Sequence, residues 1–411
     1  MPNNIYMLWD ESHLWGLMLL RALRFWELPV KTVSAEQIAA GILQKDPPRT
    51  LFVPGGWARL KSQALSASGH CAIHKYVRNG GTYIGFCGGA GLALSSTRKD
   101  GFLSLCPCGR KPVRNRLPNF SGYMHCRLEV DNTQEKIMLP VWWPSQFKMA
   151  PDPDLSVLCR YSRPSEDFWV SDLKMQHIPR EHLKEWERIY GINLDPDILK
   201  NEPCIIQGRF GKGKYLLSYA HLETPLAAEA NRLLLRFLSD QGINFPGTAQ
   251  TVPEWDIFNP EIAWDDPTLV EAREGLLNLI EAGREHFLII SRSTWLLGWR
   301  RGIPGSAINF LLAMLSGILA TKPNDNAHQF LQKRKNDFRT TMNKFINGMR
   351  EYILSERMVL ASRPSSPEAS GDKQLQARKN KLTGKFPGYG GLYAELLNDL
   401  DGLLWRLIQQ K

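Results

Sequence analysis

The chain has 411 residues, 43% of them hydrophobic, with 51 Lys and Arg against 41 Asp and Glu, a formal net charge of +10. That much apolar material excludes a disordered tail protein and a small disulfide scaffold, and the length suits two or three domains. Seven cysteines at irregular spacings form neither a disulfide framework nor paired zinc ligands, so a reducing compartment is expected.

The first 100 residues alternate short apolar runs with amphipathic stretches, the pattern of a parallel sheet covered by helices. Ile5–Trp9 reads as a strand, Leu14–Trp26 as a helix, Val30–Val33 as a strand and Ala35–Leu43 as a helix. Thr50–Val53 is a strand ending at Pro54-Gly55-Gly56, and Cys71–Asn79 is helical. Thr82–Phe86 is a strand running into Cys87-Gly88-Gly89-Ala90-Gly91. Four β/α steps in one direction predict a doubly wound, mostly parallel sheet with its ligand site at the carboxyl ends of the strands. From Leu103 to Lys174, short segments such as Leu128–Val130, Ile137–Val141 and Phe168–Leu173 are broken by proline and read as strands and loops added to the sheet. Arg180–Tyr190 is a helix, Ile205–Phe210 and Tyr215–Tyr219 form a hairpin around Gly211-Lys212-Gly213, and a helix over Pro225–Leu238 closes the domain.

Past Gly247 the strands end, and residues 248–411 read as an all-α domain. Its helices are Thr268–Ala282, Ile308–Ala320, His328–Leu354 and Tyr393–Ile408, with a mobile linker rich in Ser, Pro, Lys and Gln at 363–383. Gly302–Thr321 carries no charge over 20 residues, about the length that crosses a bilayer. Its apolar part is only Phe310–Ala320, which fits a core helix better than membrane association. Basic residues are spread out, with no stripe of Arg interleaved with aromatics, so specific nucleic-acid binding is not expected. Asp10 and Glu11 interrupt any secretion signal at the start, and cytoplasmic residence is the expectation.

The strongest chemical signal is Gly85-Phe86-Cys87-Gly88-Gly89. A strand turning into a helix at Gly-x-Cys-x-Gly holds the cysteine in a strained elbow, where glycines remove the side chains that would clash. The sulfur then meets a helix N-terminus, whose dipole and free N–H groups favour thiolate and make Cys87 a nucleophile. The run from Tyr215 to Glu223 supplies a base. His221 lies just past a strand's end and can take the thiol proton, while Glu223, two residues on, fixes its tautomer. Oxyanion donors are expected from the Gly88 N–H together with Gly55 or Gly56 after the neighbouring strand. The plainer readings are a packing cysteine, a structural histidine and a Glu223 that complements a helix dipole. The glycine frame and the matched partners favour the chemical reading.

Other clusters read as structure. Cys106, Cys108, His125 and Cys126 lack zinc-motif spacing, and adjacent strand residues point to opposite faces. His70 and His74 share a helix face without a carboxylate and read as surface histidines. Trp142-Trp143-Pro144 and the Trp295–Trp299 run read as packing in the core or between domains.

In Phe52-Val53-Pro54-Gly55-Gly56, Ile73-x-x-Tyr76-Val77-x-x-Gly80-Gly81, Gly85-Phe86-Cys87-Gly88-Gly89-Ala90 and His221-x-Glu223, residues 1–247 resemble the class I glutamine amidotransferase-like superfamily. Within it they resemble the N-terminal domain of eukaryotic-type biotin-protein ligases, which also occurs as stand-alone bacterial proteins. The resemblance implies a flavodoxin-like, amidotransferase-like α/β fold and a Cys87, His221, Glu223 triad for a hydrolase or acyl transferase. It implies a small amide or acyl substrate, no cofactor and no metal. Gly91 stands where glutamine-hydrolysing members usually carry glutamine, which argues against glutamine as substrate. No ligase catalytic half follows, and Gly208–Gly213 fits a hairpin turn, so biotin ligation is not expected. The rival expectation is an inactive ligand-binding or regulatory scaffold whose helical domain binds a protein partner.

Overall fold

The computed structural model describes residues 4–96, 101–130, 133–244, 250–362, 372–385 and 389–409. The chain divides into two compact units, Met1–Pro253 and Glu254–Lys411. The boundary expected at 247 lies outside the described residues.

The first unit opens with β1 (Ile5–Leu8), α1 (His13–Phe25), β2 (Val30–Val33), α2 (Ala35–Ala39), α3 (Ile42–Lys45), β3 (Thr50–Val53), α4 (Ala58–Arg78), β4 (Thr82–Phe86) and α5 (Gly88–Ala93). Every residue of β1, β3 and β4 is buried, as in parallel strands covered on both faces, and this is why they read as unbroken apolar runs. Tyr6, Leu8, Leu51, Val53 and Tyr83 share one core with Leu65, Ile73, Tyr76 and Val77 of α4. The alternate residues face the other way, with Phe52 edge-on to Phe86 at 4.8 Å. The single helix expected over Ala35–Leu43 is two, because Gly41 adopts φ 88 between them. The helix expected at Cys71–Asn79 is the end of the longer α4, whose polar first half, bent at Ser66 (φ 56), masked its start.

The chain continues through β5 (Gly109–Arg110), β6 (Phe120–Val130), β7 (Thr133–Trp142), β8 (Phe147–Lys148), β9 (Ser156–Val170), β10 (Leu173–Lys174), α6 (Leu183–Tyr190), β11 (Pro203–Phe210), β12 (Gly213–Ser218) and α7 (Ala228–Asp240). The sheet runs β2-β1-β3-β4-β12-β11-β9-β6-β7, with β10 beside β9. From β2 to β12 neighbours are parallel; from β12 to β7 they are antiparallel. The antiparallel strands are longer than their proline-broken sequence suggests. Pro140 lies on β7, the sheet edge, and Pro164 lies in the part of β9 beyond its pairing with β11, where one side of the strand carries no β11 ladder for a missing N–H to break.

The second unit comprises α8 (Pro267–Glu285), β13 (Ile289–Ser291), β14 (Leu297–Trp299), α9 (Gly305–Leu319), α10 (Asp325–Ser362), α11 (Lys373–Thr383) and α12 (Gly391–Ile408). It is helical, with one small hairpin that the all-α expectation missed because each strand has only three residues. The expected linker at 363–383 is corrected over its second part. Lys373–Thr383 is helix, capped by the Asp372 carboxylate, and it buries Leu375 and Leu382; 363–371 lie outside the described residues. The uncharged stretch forms α9, buried along nearly its whole length. Among the described residues no helix is long and apolar enough to cross a membrane.

Candidate active site

The parallel half of the sheet brings two distant segments together. The β4–β12 ladder carries one residue past β4, where the Cys87 N–H donates to the Ser218 carbonyl at 2.8 Å. Cys87 itself turns at φ 47, ψ −102, a backbone region that costs a non-glycine residue about 1–3 kcal/mol. The first bond of α5 then closes from the Gly91 N–H to the Cys87 carbonyl at 2.9 Å. Three residues beyond Ser218 the chain reaches His221.

Glycines let the loop after β3 close on this elbow. A Cβ on Gly88 would overlap the Gly56 carbonyl, and Gly56 itself adopts φ 111. A Cβ on Gly55 would lie 2.8 Å from Trp15 Cγ and 3.1 Å from His221 Cε1. Gly55, Gly56 and Gly88 therefore gather beside Cys87 and His221. By position the Gly88 N–H is among the amides that a helix start leaves without an intrahelical partner.

His221 and Glu223 are both fully buried and joined from Nδ1 to Oε1 at 2.8 Å. Burial alone would lower the imidazole pKa, but the Glu223 charge and the nearby Cys87 thiol outweigh it and push it up to about 10. Nε2, the ring atom opposite that bond, has no hydrogen-bond partner among the described residues. Cys87 keeps partial exposure. The histidine is held by its loop: its N–H donates to the Pro140 carbonyl at 2.9 Å, and Asn231 Nδ2 donates to the Leu222 carbonyl at 2.8 Å. Trp15 packs on the imidazole at 4.4 Å, Trp143 packs on Trp15 at 6.3 Å, and Trp142 Nε1 donates to Thr224 Oγ1 at 3.0 Å. The Trp142-Trp143 pair is thus packing, as read, but packing around the histidine.

The sequence reading missed three features. Lys61 is completely buried and donates to the Asp10 carbonyl at 2.9 Å and to Ser12 Oγ, tying α4 to the loop after β1 whose Glu11 carbonyl abuts Gly56. Glu11, His13 and Trp143, like Cys87, hold positive φ, a concentration of strain that sequence patterns do not reveal. Arg110 Nε and Arg116 Nη1 both donate to Ser145 Oγ, at 2.6 and 2.7 Å. Burial, and then Arg110, lower the Arg116 pKa to about 10. Neither guanidinium forms an ion pair with a carboxylate among the described residues, and both, with Cys87, act on the buried Tyr219 phenol.

The remaining clusters are structural with two amendments. Cys106 and Cys108 pack in the core. His70 and His74 are partly buried rather than surface residues, bonded to Ser62 and to the Leu103 carbonyl. Cys126 is drawn together with Cys159 and Cys204, a grouping that their spacing gave no means of finding.

Residues 17–98 match the family described as biotin-protein ligase, N terminal. No curated protein matches the chain. Among solved structures, PurLQS from Thermotoga maritima is similar at 13% identity and TM-score 0.38, over 58% of this chain and 100% of that one. A GMP synthase subunit from Thermoplasma acidophilum follows at 13% identity and TM-score 0.36, over 58% and 94%. A ThuA-like protein from Bacteroides uniformis shows 8% identity and TM-score 0.36, over 61% and 95%.

Proposed function

We propose that the first unit, whose residues 17–98 match the biotin-protein ligase N-terminal family, is a thiol-dependent amide hydrolase or acyl transferase of the class I glutamine amidotransferase-like type. The observation that carries this reading is the Glu223-bound His221, whose unbonded Nε2 is left for the Cys87 sulfur. Cys87 attacks once its proton has passed to His221 Nε2, which leaves an imidazolium held by Glu223. The Cys87 sulfur attacks the carbonyl carbon, forming a C–S bond and an oxyanion beside the Gly88 amide. Collapse breaks the C–N bond as His221 Nε2 protonates the leaving nitrogen. His221, now neutral, takes a proton from water, which attacks the thioester, releases the acid and restores the ion pair. Glu223 orients the ring throughout, and Trp15 shields it from bulk water. The paired Arg110 and Arg116 support a substrate bearing an anionic group, since two cations without a counter-charge favour one.

Gly91, in place of the usual glutamine, argues against glutamine as substrate; the rival reading is the inactive scaffold, and alkylation separates the two. Peptide mapping after iodoacetamide treatment compares Cys87 with exposed Cys71 in one molecule. His221→Ala is expected to slow Cys87 about tenfold or more while leaving Cys71 unchanged. Equal Cys87 rates with and without His221 would support the scaffold.

A further inference from the structure

Three cysteines that this chemistry does not use converge inside the antiparallel half of the sheet. Cys126 on β6, Cys159 on β9 and Cys204 on β11 are each at most 1% exposed, and their sulfurs lie within 4.8 Å of one another. Irregular pairing brings them there. The β6–β9 ladder slips between His125 and Cys126, and the β11–β9 ladder slips between Pro203 and Ile205, across Cys204. Such bulges re-aim side chains; Cys204 is itself the extra residue of one, and Cys126 faces the other, whose extra residue is Ser162 on β9.

A second observation points to a ligand. The Tyr161 hydroxyl, on a side chain 1% exposed, has no hydrogen-bond partner among the described residues. Tyr161 stands directly opposite Cys126 in the β6–β9 ladder and two residues after Cys159 on β9, so its side chain leaves the same face as theirs. Buried hydroxyls are ordinarily bonded, and one left over beside three sulfurs points to a ligand bound in the space between them.

We propose that Cys126, Cys159 and Cys204 bind a single Zn(II) ion, with the Tyr161 oxygen completing a tetrahedral set. Zinc–sulfur bonds of about 2.3 Å place tetrahedral sulfurs about 3.8 Å apart, so the spacing seen needs to close by no more than about 1 Å. Binding replaces the three thiol protons, which pass to solvent, while Tyr161 binds as the neutral phenol and keeps its proton, and no electron is transferred. Three thiolates buried from water make this a closed, structural site rather than a catalytic one. It would pin β6, β9 and β11 at their bulges. The Cys204 carbonyl accepts the Tyr219 N–H at 2.9 Å, two residues before His221, so the metal would also steady the approach to that loop.

The full chain, purified without chelators, is expected to carry one zinc by elemental analysis. Replacement by Co(II) is expected to give sulfur-to-cobalt charge transfer and intense tetrahedral visible bands, one equivalent saturating. Cys159→Ser should abolish the bands, Tyr161→Phe should shift the visible ones, and the double variant Cys106→Ser/Cys108→Ser should keep them all. Should Cys159→Ser fail to fold, maleimide mapping of the zinc-loaded natural chain decides, with Cys126, Cys159 and Cys204 protected relative to the stripped chain. Less than about 0.1 equivalent of zinc or cobalt on natively folded chain would overturn the proposal. So would bands that survive Cys159→Ser, bands lost in the Cys106/Cys108 double variant, or thiols equally reactive with and without zinc.

Discussion

A histidine sealed from water ordinarily gives up its proton, because a low-dielectric interior disfavours charge. His221 is fully buried and keeps it, held by Glu223 and then by Cys87, with its pKa raised to about 10. Its folded pKa lies above the unfolded value of about 6.5. The stability it lends is therefore complete below that lower value and is lost as pH rises through about 10. Glu223→Gln should unfold at lower urea than the natural chain at pH 6, and the gap should narrow as pH passes about 10. A gap independent of pH would mean that the pair is not charged. The guanidiniums make a separate prediction. Cys87 should prefer iodoacetate to iodoacetamide, and Arg116→Ala should cut that preference by about tenfold. Because His221 remains in that variant, an unchanged ratio would assign the preference to the imidazolium and remove the argument for an anionic substrate.

Between β3 and β4 the elbow is assembled from backbone against backbone. A Cβ at Gly88 would overlap the Gly56 carbonyl, and neither chain can yield without shifting a strand end. Gly88→Ala should therefore cost about 1–3 kcal/mol by urea midpoint, whereas Gly101→Ala, which meets nothing within 4 Å, should be close to neutral; equal midpoints would refute the packing argument. What the sequence reveals follows the same physics. β1, β3 and β4 were legible because burial on both faces demands unbroken apolar runs, and Cys87 and His221-x-Glu223 were legible because each lies where a strand stops. The first half of α4 was not, since its residues are largely polar and Ser66 bends it. The long β7 and β9 were hidden by Pro140 and Pro164, which pattern rules penalise. Arg110 and Arg116 meet only because both reach Ser145, and the trio Cys126, Cys159 and Cys204 is a product of strand pairing between remote segments, which no local spacing encodes.

Every residue of the candidate site, from Asp10 to Asn231, comes from the unit Met1–Pro253, and the helical unit Glu254–Lys411 has its own core. That core is centred on α9, where Leu311, Leu312 and Leu315 are wholly buried, and its internal ties include the Leu297 N–H held by Asn309 Oδ1 at 2.8 Å. A chain with two cores unfolds by a single cooperative transition only if those cores depend on one another. Calorimetry is expected to resolve two transitions. Leu311→Ala leaves a cavity in one core alone and should destabilise its transition by about 2–5 kcal/mol, with the other transition and the rate of Cys87 alkylation unchanged. A single transition that shifts as a whole, or a Cys87 rate that falls with it, would show that the helical unit supports the site, and the chemistry proposed for the first unit would then have to be tested only in the intact chain.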